Sequence, residues 1–580
     1  MSQHKSDPTI SNRLIVEGSA VGKTLVCPEG LSFWGGVDPQ SGIIIDAHHP
    51  NHGECISGKC LLMPTSRGSC SGSGVLLELA LNGLGPAAIL FHEPEQVLTL
   101  GAIVCDRIFG VKIPIIYLKK EDYLDVAKVA TMTLAELQII TEHKVIDLIP
   151  VNIHHLTLTQ RDQSFLSGDH GVAAKSAMET ICLMAAAENT NELVTVHKGH
   201  IDGCILAHEA NLIFAEKMAT LGAKVDIPTT INAISVDREN WKSSGLSTEF
   251  GEKASRLADA YVNMGVKPTF TCAPYLLDDA PHFGEKIGWS ESNAVIYANT
   301  VIGAQTQKHP DYLDLFIAMT GRAPASGVYS IAGRKAKILI EINVPAQWTA
   351  DDEVLWPLVG WIAGKHAPDQ IPLISGLESL CPTTDDLKAL CAAFGTTSGA
   401  PMLHIGGHTP EAKEQYDASI PIKVITHEDL LDAWYELNRG LSTIDLVAIG
   451  SPHASIDEVR KLSEMMHGKQ CRKGTQFIIT TGRKTLGIAK TEGLVDTLEQ
   501  SGVTLMPDLC WCSIIEPIFP IDAKGLMTNS GKYAHYAHGL SGRHSRLGSL
   551  KECVDAAISG FAPDEPPGWL MTSDDFRYQS

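Results

Sequence analysis

The sequence predicts an α/β protein in which a small β-rich α/β part, residues 1–150, precedes a large body of several α/β sections, residues 151–580. Three observations predict it. At 580 residues the chain exceeds what one core can organise and implies roughly two to four domains. Short strand-like apolar runs alternate with stretches of helical periodicity along most of its length. Polar and thiol residues gather just after several of those runs, where α/β sheets form their ligand sites.

In chain order, the runs 13–16, 22–27, 42–45, 59–63, 87–90, 101–105 and 114–117 read as strands separated by Gly-rich turns, and 74–82 reads as a helix. Gly18-Ser-Ala-Val-Gly-Lys-Thr24 is not a phosphate-binding P-loop, because three residues separate its glycines where that loop requires four. Met63-Pro-Thr-Ser-Arg-Gly-Ser-Cys-Ser-Gly-Ser-Gly74 is more informative. It runs from a strand into an apolar helix, so free N–H groups and the helix dipole converge where an anion would sit or a serine hydroxyl would be ionised. The competing reading is that Ser69 to Ser73 simply cap the helix.

Residues 119–165, with paired His154 and His155, read as a helical connection. The helix 171–188, strand 192–197, turn 198–204, helix 207–221 and strand 224–227 follow, and Asn232 and Ala233 lie just beyond. His200 and Asp202 sit in that turn as candidate ligands. The run 266–271 reads as a strand delivering Cys272 into a loop, since Pro274 cannot extend a ladder. The run 290–306 reads as a helix offering Glu291, Ser292, Asn293 and Asn299 to a site. A third section, 320–480, carries strands at 336–342, 403–405, 422–425, 446–449 and 476–480, with the turn 450–455 leading into the helix 456–466. His404 and His408 bracket Gly406-Gly407 and are read as turn histidines, with metal binding as the alternative. The C-terminal part offers a strand at 504–506, the thiols Cys510 and Cys512 after it, and the polar loop 527–536 containing Lys532, of a kind that grips carboxylates or phosphates.

A formal charge of −21 opposes nucleic-acid and anionic-membrane partners, which select basic surfaces. No apolar run approaches the ~20 residues of a spanning helix, and the first residues lack an apolar leader core, so a soluble, cytoplasmic protein is expected. Fourteen scattered cysteines then read as reduced thiols, with Cys182, Cys391, Cys471 and Cys553 as small core residues. Thiols at distant strand ends do not form a zinc ribbon; iron–sulfur clusters, which also use thiolates, remain.

Gly265-Val-Lys-Pro-Thr-Phe-Thr-Cys-Ala-Pro-Tyr275, Trp289-Ser-Glu-Ser-Asn-Ala-Val-Ile-Tyr-Ala-Asn299, Gly450-Ser-Pro-His453 and Thr528-Asn-Ser-Gly-Lys532 resemble the large part of the aconitase X family, and Arg67-Gly-Ser-Cys-Ser-Gly-Ser73 with Asn82-Gly-Leu-Gly-Pro-Ala-Ala88 resembles its small swivelling part. The resemblance spans nearly the whole chain and matches the fused, single-chain branch. It implies an aconitase-superfamily-like fold and a hydro-lyase that dehydrates a small hydroxy amino acid, cis-3-hydroxy-L-proline, to Δ1-pyrroline-2-carboxylate. An iron–sulfur cluster would be the Lewis acid. Of the family's three cluster cysteines, Cys272 matches the first and Cys510 the third while Ser451 stands at the second, which points to a 2Fe–2S cluster, with Cys512 or His453 to complete the coordination. Ser69 matches the catalytic base, with Ser71 in reserve and Arg67 in support. Asp202, Gly203, Cys204, Ile205, Asn232, Ala233 and Lys532 fall on substrate contacts. A monomer or weak homo-oligomer is expected, with the small part swinging to assemble the site. The alternatives are a phosphomevalonate dehydratase, opposed by Gln305 where arginine is the rule, and an RNA-binding regulator, opposed by the charge.

Overall fold

A computed structural model describes residues 11–343 and 352–571, arranged as two compact units. The first comprises residues up to Thr229 with Ala260–Gly265 and His309–Ser326; the second comprises Thr230–Asp259, Val266–Lys308 and the described residues from Gly327 onward.

The first unit is organised on a nine-stranded sheet, ordered Val145–Asp147, Gln138–Ile140, Thr131–Ala135, Ala20–Val26, Cys60–Leu62, Ala88–Phe91, Ile115–Tyr117, Arg13–Val16 and Ile149–Pro150. Its centre is parallel from Ala20–Val26 to Ile115–Tyr117, and antiparallel strands extend it on one side. Two helices, Gly72–Leu81 and Val97–Phe109, pack together beside it, close enough that a Cβ at Gly101 would meet the Ser73 carbonyl at 3.1 Å. The expected strand at 101–105 is therefore wrong: those residues lie inside the helix Val97–Phe109. Burial on nearly every face removes the helical polar stripe and leaves a short apolar window that mimics a strand. Buried Glu95 fixes the helix start, accepting the N–H groups of Leu98 at 2.7 Å and Thr99 at 2.8 Å. The expected strand at 42–45 contributes isolated bridges, from Ile44 to Val37 and from Ile43 to Cys55. The expected helical connection at 119–165 holds the helix Lys120–Val126 and three antiparallel strands. The strand expected at 224–227 sits at Thr229–Ile231, so Asn232 follows it directly.

The second unit contains two all-parallel sheets, and the strands expected at 446–449 and 476–480 in the third section share one of them with the C-terminal strand. One orders His404–Ile405, Pro372–Ser375, Ile338–Ile342 and Ile422–Ile425; the other orders Val503–Pro507, Gln476–Thr481, Leu446–Ala454, Leu526–Thr528 and Ser545–Leu547. Parallel strands covered on both faces read as continuous apolar runs, which is why most were legible. The segment 266–271 is not a strand. Pro268 lacks an N–H and Phe270 takes φ 41°, so the ladder is replaced by Thr269 Oγ1 donating to the Ile231 carbonyl at 3.0 Å and by the Thr271 N–H reaching that carbonyl at 3.1 Å. The expected turn 450–455 instead continues the buried strand Leu446–Ala454, and the helix expected over 290–306 runs from Ser292 to Tyr297, then a π-turn to Ile302, stopped by Gly303. Among the described residues, no helix is long and apolar enough to cross a membrane.

Candidate functional site

Each unit carries a polar cluster that gathers residues expected at a site. In the second unit Cys272 and Cys510 place their sulfurs 3.7 Å apart, both residues buried. Cys272 hangs on the Thr269–Thr271 crossing described above. Cys510 is set by the Leu509–Ile234 bridge and by Ser513, whose hydroxyl accepts the Cys510 N–H at 3.3 Å and donates to the Ile234 carbonyl at 3.1 Å. Ala233 and Cys512 pack against the pair. Two thiolates on one tetrahedral metal with bonds of about 2.3 Å lie roughly 3.8 Å apart, so the pair has the spacing of shared ligation.

Ser451 lies on the strand Leu446–Ala454, 3% exposed, and its Oγ has no hydrogen-bond partner among the described residues. A buried hydroxyl left so costs about 1–3 kcal/mol, and ligation would remove that cost. His453 serves differently. Its backbone N–H donates to Cys272 Sγ at 3.2 Å, its Nε2 lies 2.6 Å from the Leu509 carbonyl and its Nδ1 3.0 Å from Thr271 Oγ1. A carbonyl only accepts, so Nε2 carries the hydrogen and Nδ1 receives the threonine hydroxyl. Burial pushes the His453 pKa down to about 4 and keeps the ring neutral. Both ring nitrogens of His453 are thus engaged within the protein, while Cys512, the other expected completer, packs against the thiol pair.

Lys532 adds positive charge. It follows Ser530, which caps the helix Gly531–Ser541 by accepting the Tyr533 N–H at 3.0 Å and bonds the Ser451 carbonyl. The Lys532 ammonium meets Glu291 at 2.9 Å. Burial works against its charge, but Glu291 and the three thiols outweigh burial and hold the lysine well above its usual range. For Glu291 burial likewise opposes ionisation and Lys532 reverses the outcome, so its pKa is lowered. Cys510 is pushed up to about 12, first by its hydrogen bond with Cys272. Asn293 donates to the Cys272 carbonyl at 3.0 Å and accepts the Tyr275 hydroxyl at 2.8 Å. Asn299, expected at a site, instead serves the chain, bonding the Thr306 and Pro401 carbonyls at 2.8 and 2.9 Å.

In the first unit Gly68 has φ 89° and a Cβ there would lie 2.3 Å from Ser32 Oγ, so the bend that presents Ser69 requires glycine. Ser69 Oγ lies 3.3 Å from Ser71 Oγ, to which it donates, and accepts the Ser71 N–H at 3.3 Å. Ser71 is the N-cap of the helix Gly72–Leu81 but makes no side-chain cap bond, so the capping reading does not account for these hydroxyls. The Cys70 thiol donates to Asp202 at 3.4 Å, and Cys70, Asp202 and Asp311 converge with ligand-type atoms within 4.8 Å. Gly203 accepts the Tyr261 hydroxyl at 3.3 Å, and the Ile205 carbonyl accepts Asn211 at 3.1 Å. Burial holds Cys204 well above the ordinary thiol range, as a neutral group. Arg67 is not gathered here: its side chain is 64% exposed and lies 3.9 Å from Glu29. Asp311 and Asp314 escaped the sequence reading, although two carboxylates in the apolar run Asp311-Tyr-Leu-Asp-Leu-Phe316 were a signal.

The chain matches four family domains in succession: the aconitase X swivel domain over residues 9–143, first domain over 155–332, second domain over 336–435 and third domain over 444–559. It is 42% identical over 96% of its length, and 96% of the relative's, to a cis-3-hydroxy-L-proline dehydratase of Hypocrea jecorina (strain QM6a). It is 43% identical to a Pseudomonas aeruginosa protein of the same description, over 96% of this chain and 98% of that one. A crystal structure of Thermococcus kodakaraensis aconitase X in its holo-form superposes with a TM-score of 0.62 at 27% identity, covering 69% of this chain and all of that one. With such relatives the chain is an enzyme of the hydro-lyase class, a dehydratase with an α/β fold and a swivel domain. It belongs to the aconitase X family.

Proposed function

We propose that this enzyme dehydrates cis-3-hydroxy-L-proline to Δ1-pyrroline-2-carboxylate with an iron–sulfur cluster and a serine base. The observation that carries the reading is the 96% coverage by two dehydratases of that substrate, both at above 40% identity. The thiol cluster fits the cofactor: a sulfur pair at ligation spacing, an orphaned Ser451 hydroxyl beside it, Cys512 in reserve, and a lysine to offset thiolate charge. Cys272, Cys510 and Ser451 would hold a 2Fe–2S cluster, whose Lewis acidity makes hydroxide a tolerable leaving group from C3.

Ser69 takes the C2 proton, its oxygen steadied by the Ser71 N–H. As C2 loses its proton the electron pair forms the C2–C3 double bond, C3–O breaks, and the enamine tautomerises to the cyclic imine. Lys532 would supply positive charge toward the substrate carboxylate, and Asp202, Gly203, Cys204, Ile205, Asn232 and Ala233 are proposed as further substrate contacts. Arg67, exposed in this structure, would reach the substrate rather than the base. Residues 1–150 form the swivelling part and 151–580 the catalytic body. Phosphomevalonate dehydration is not favoured, since the fused chain matches hydroxyproline dehydratases end to end. Anaerobic assay with cis- and trans-3-hydroxy-L-proline, following pyrroline formation beside iron and sulfide quantitation, tests the reading. Pyrroline from the cis isomer is expected; iron-free protein that turns over equally well would sink the cofactor assignment.

A further inference from the structure

We propose that Asp311 is the positioning residue of the catalytic base, drawing a proton from Ser69 through the Ser71 hydroxyl. The proposal rests on the reading that Ser69 abstracts the C2 proton. The direction of the hydrogen bonds carries it. Ser69 donates to Ser71 Oγ at 3.3 Å, and Ser71 is hydrogen-bonded to the Asp311 carboxylate, which only accepts when ionised. Each hydroxyl is thus oriented to pass its hydrogen toward Asp311.

Asp311 is built for this use. It is 4% exposed; its carboxylate accepts from Ser71 and Cys70, and its buried Oδ1 has no hydrogen-bond partner among the described residues. A carboxylate oxygen stripped of water and left unpaired has a raised proton affinity that the fold itself does not use. Asp314 differs: it accepts the N–H groups of Asp202 and Leu315, both at 2.7 Å, and is fully employed in holding the chain. The backbone also bends to place the residue. Tyr312, next in sequence, has φ 82°, a region costing a bulky residue about 1–3 kcal/mol. The Asp311 N–H reaches back to the Cys70 carbonyl at 3.4 Å, between the two serines in sequence.

The groups facing Asp311 are Asp314, Asp202, the thiols Cys70 and Cys204, and the phenols of Tyr261 and Tyr312, each neutral or anionic at neutral pH. Burial first, and then the charge of Asp314, raise the Asp311 pKa to about 6. Above that value the carboxylate is ionised and able to accept.

The protons balance along the relay. As Ser69 takes the C2 proton, Ser69 passes its own to Ser71 and Ser71 passes its own to Asp311, which becomes the neutral acid. The C2–H pair becomes the new double bond, the C3–O pair leaves as hydroxide, and that hydroxide with the proton from Asp311 departs as one water.

The test uses the full-length holoenzyme and the variants S69A, S71A, D311N, D311E and S71A/D311N. Iron content, visible absorbance and the thermal transition are recorded for each. D311N is expected to lower kcat by about 10²–10⁴-fold, with KM within roughly threefold and iron unchanged. The native acid limb of kcat/KM near pH 6 is expected to vanish in D311N and shift in D311E. S71A is expected to cost about as much as D311N, and the double variant no more than either. Turnover by D311N within about threefold of native, an unmoved acid limb, or additive losses in the double variant would overturn the relay. If D311N does not fold, D311E decides: a native kcat with an unmoved limb overturns it. An active S69A overturns the base assignment itself, whereas an inactive S69A with a native-like D311N overturns only the relay.

Discussion

Two buried carboxylates show how the clusters differ. Glu291, in the thiol cluster, and Asp311, in the serine cluster, are both nearly inaccessible to water. Burial disfavours ionisation of each, yet Glu291 is pulled down chiefly by Lys532, 2.9 Å away, while burial pushes Asp311 up to about 6 with Asp314 adding to the rise. The sign of one adjacent charge decides whether a buried acid anchors a cation or stores basicity. The thiol cluster is charge-compensated, an arrangement that would suit the anionic cofactor proposed for it. The serine cluster concentrates carboxylates and hydroxyls, as suits residues that receive a proton.

Cys272→Ala is expected to strike the compensated cluster hardest. Losing a Lewis acid worth several kcal/mol lowers turnover ~10³-fold or more, and iron quantitation should fall with it. Retained iron and turnover would remove Cys272 from the ligand set. Ser69→Ala should separate the clusters, with visible absorbance and iron intact while pyrroline formation drops by about 10²–10⁴-fold. A bleached protein would show that the serine supports the thiol cluster instead.

Lys532→Met sharpens the electrostatic half of the comparison. It strands Glu291 as a buried, unpaired charge, and removing one partner of a buried pair costs about 3–5 kcal/mol. Denaturant unfolding should report that loss at neutral pH and a smaller one in acid, where Glu291 protonates. The Lys532→Met, Glu291→Gln double variant should recover part of it. Arg67→Ala is the smallest perturbation. Its ion pair with Glu29 is long and exposed, so stability should change by less than ~0.5 kcal/mol. A fall in kcat/KM without that stability change would read substrate contact directly; a lowered thermal midpoint would contradict the exposed position.

Much of this was legible in the chain. The parallel strands 446–449 and 476–480 and the helix 456–466 were visible because buried strands read as apolar runs and a helix with one exposed face keeps its period. The helix Val97–Phe109 was misread because burial erased that period, and 266–271 because an extended chain can be held by threonine hydroxyls without a ladder. Cys272, Cys510 and Ser69 stood out as reactive groups beside turn-forming residues. Asp311 was passed over: its apolar surroundings in Asp311-Tyr-Leu-Asp-Leu-Phe316 were a signal of burial, but its closeness to Ser71 is set only by packing.

The sequence by itself determined the family, the α/β class and the hydro-lyase chemistry, because these rest on motif identity and periodicity that survive without coordinates. Tertiary structure decided which residues act on one another. Cys272 and Cys510 are separated by 238 positions and their sulfurs by 3.7 Å, and Asp311 stands 240 positions beyond the Ser71 it receives from. Distances of that kind, and the burial that sets each proton affinity, are properties of packing, which no window of sequence contains.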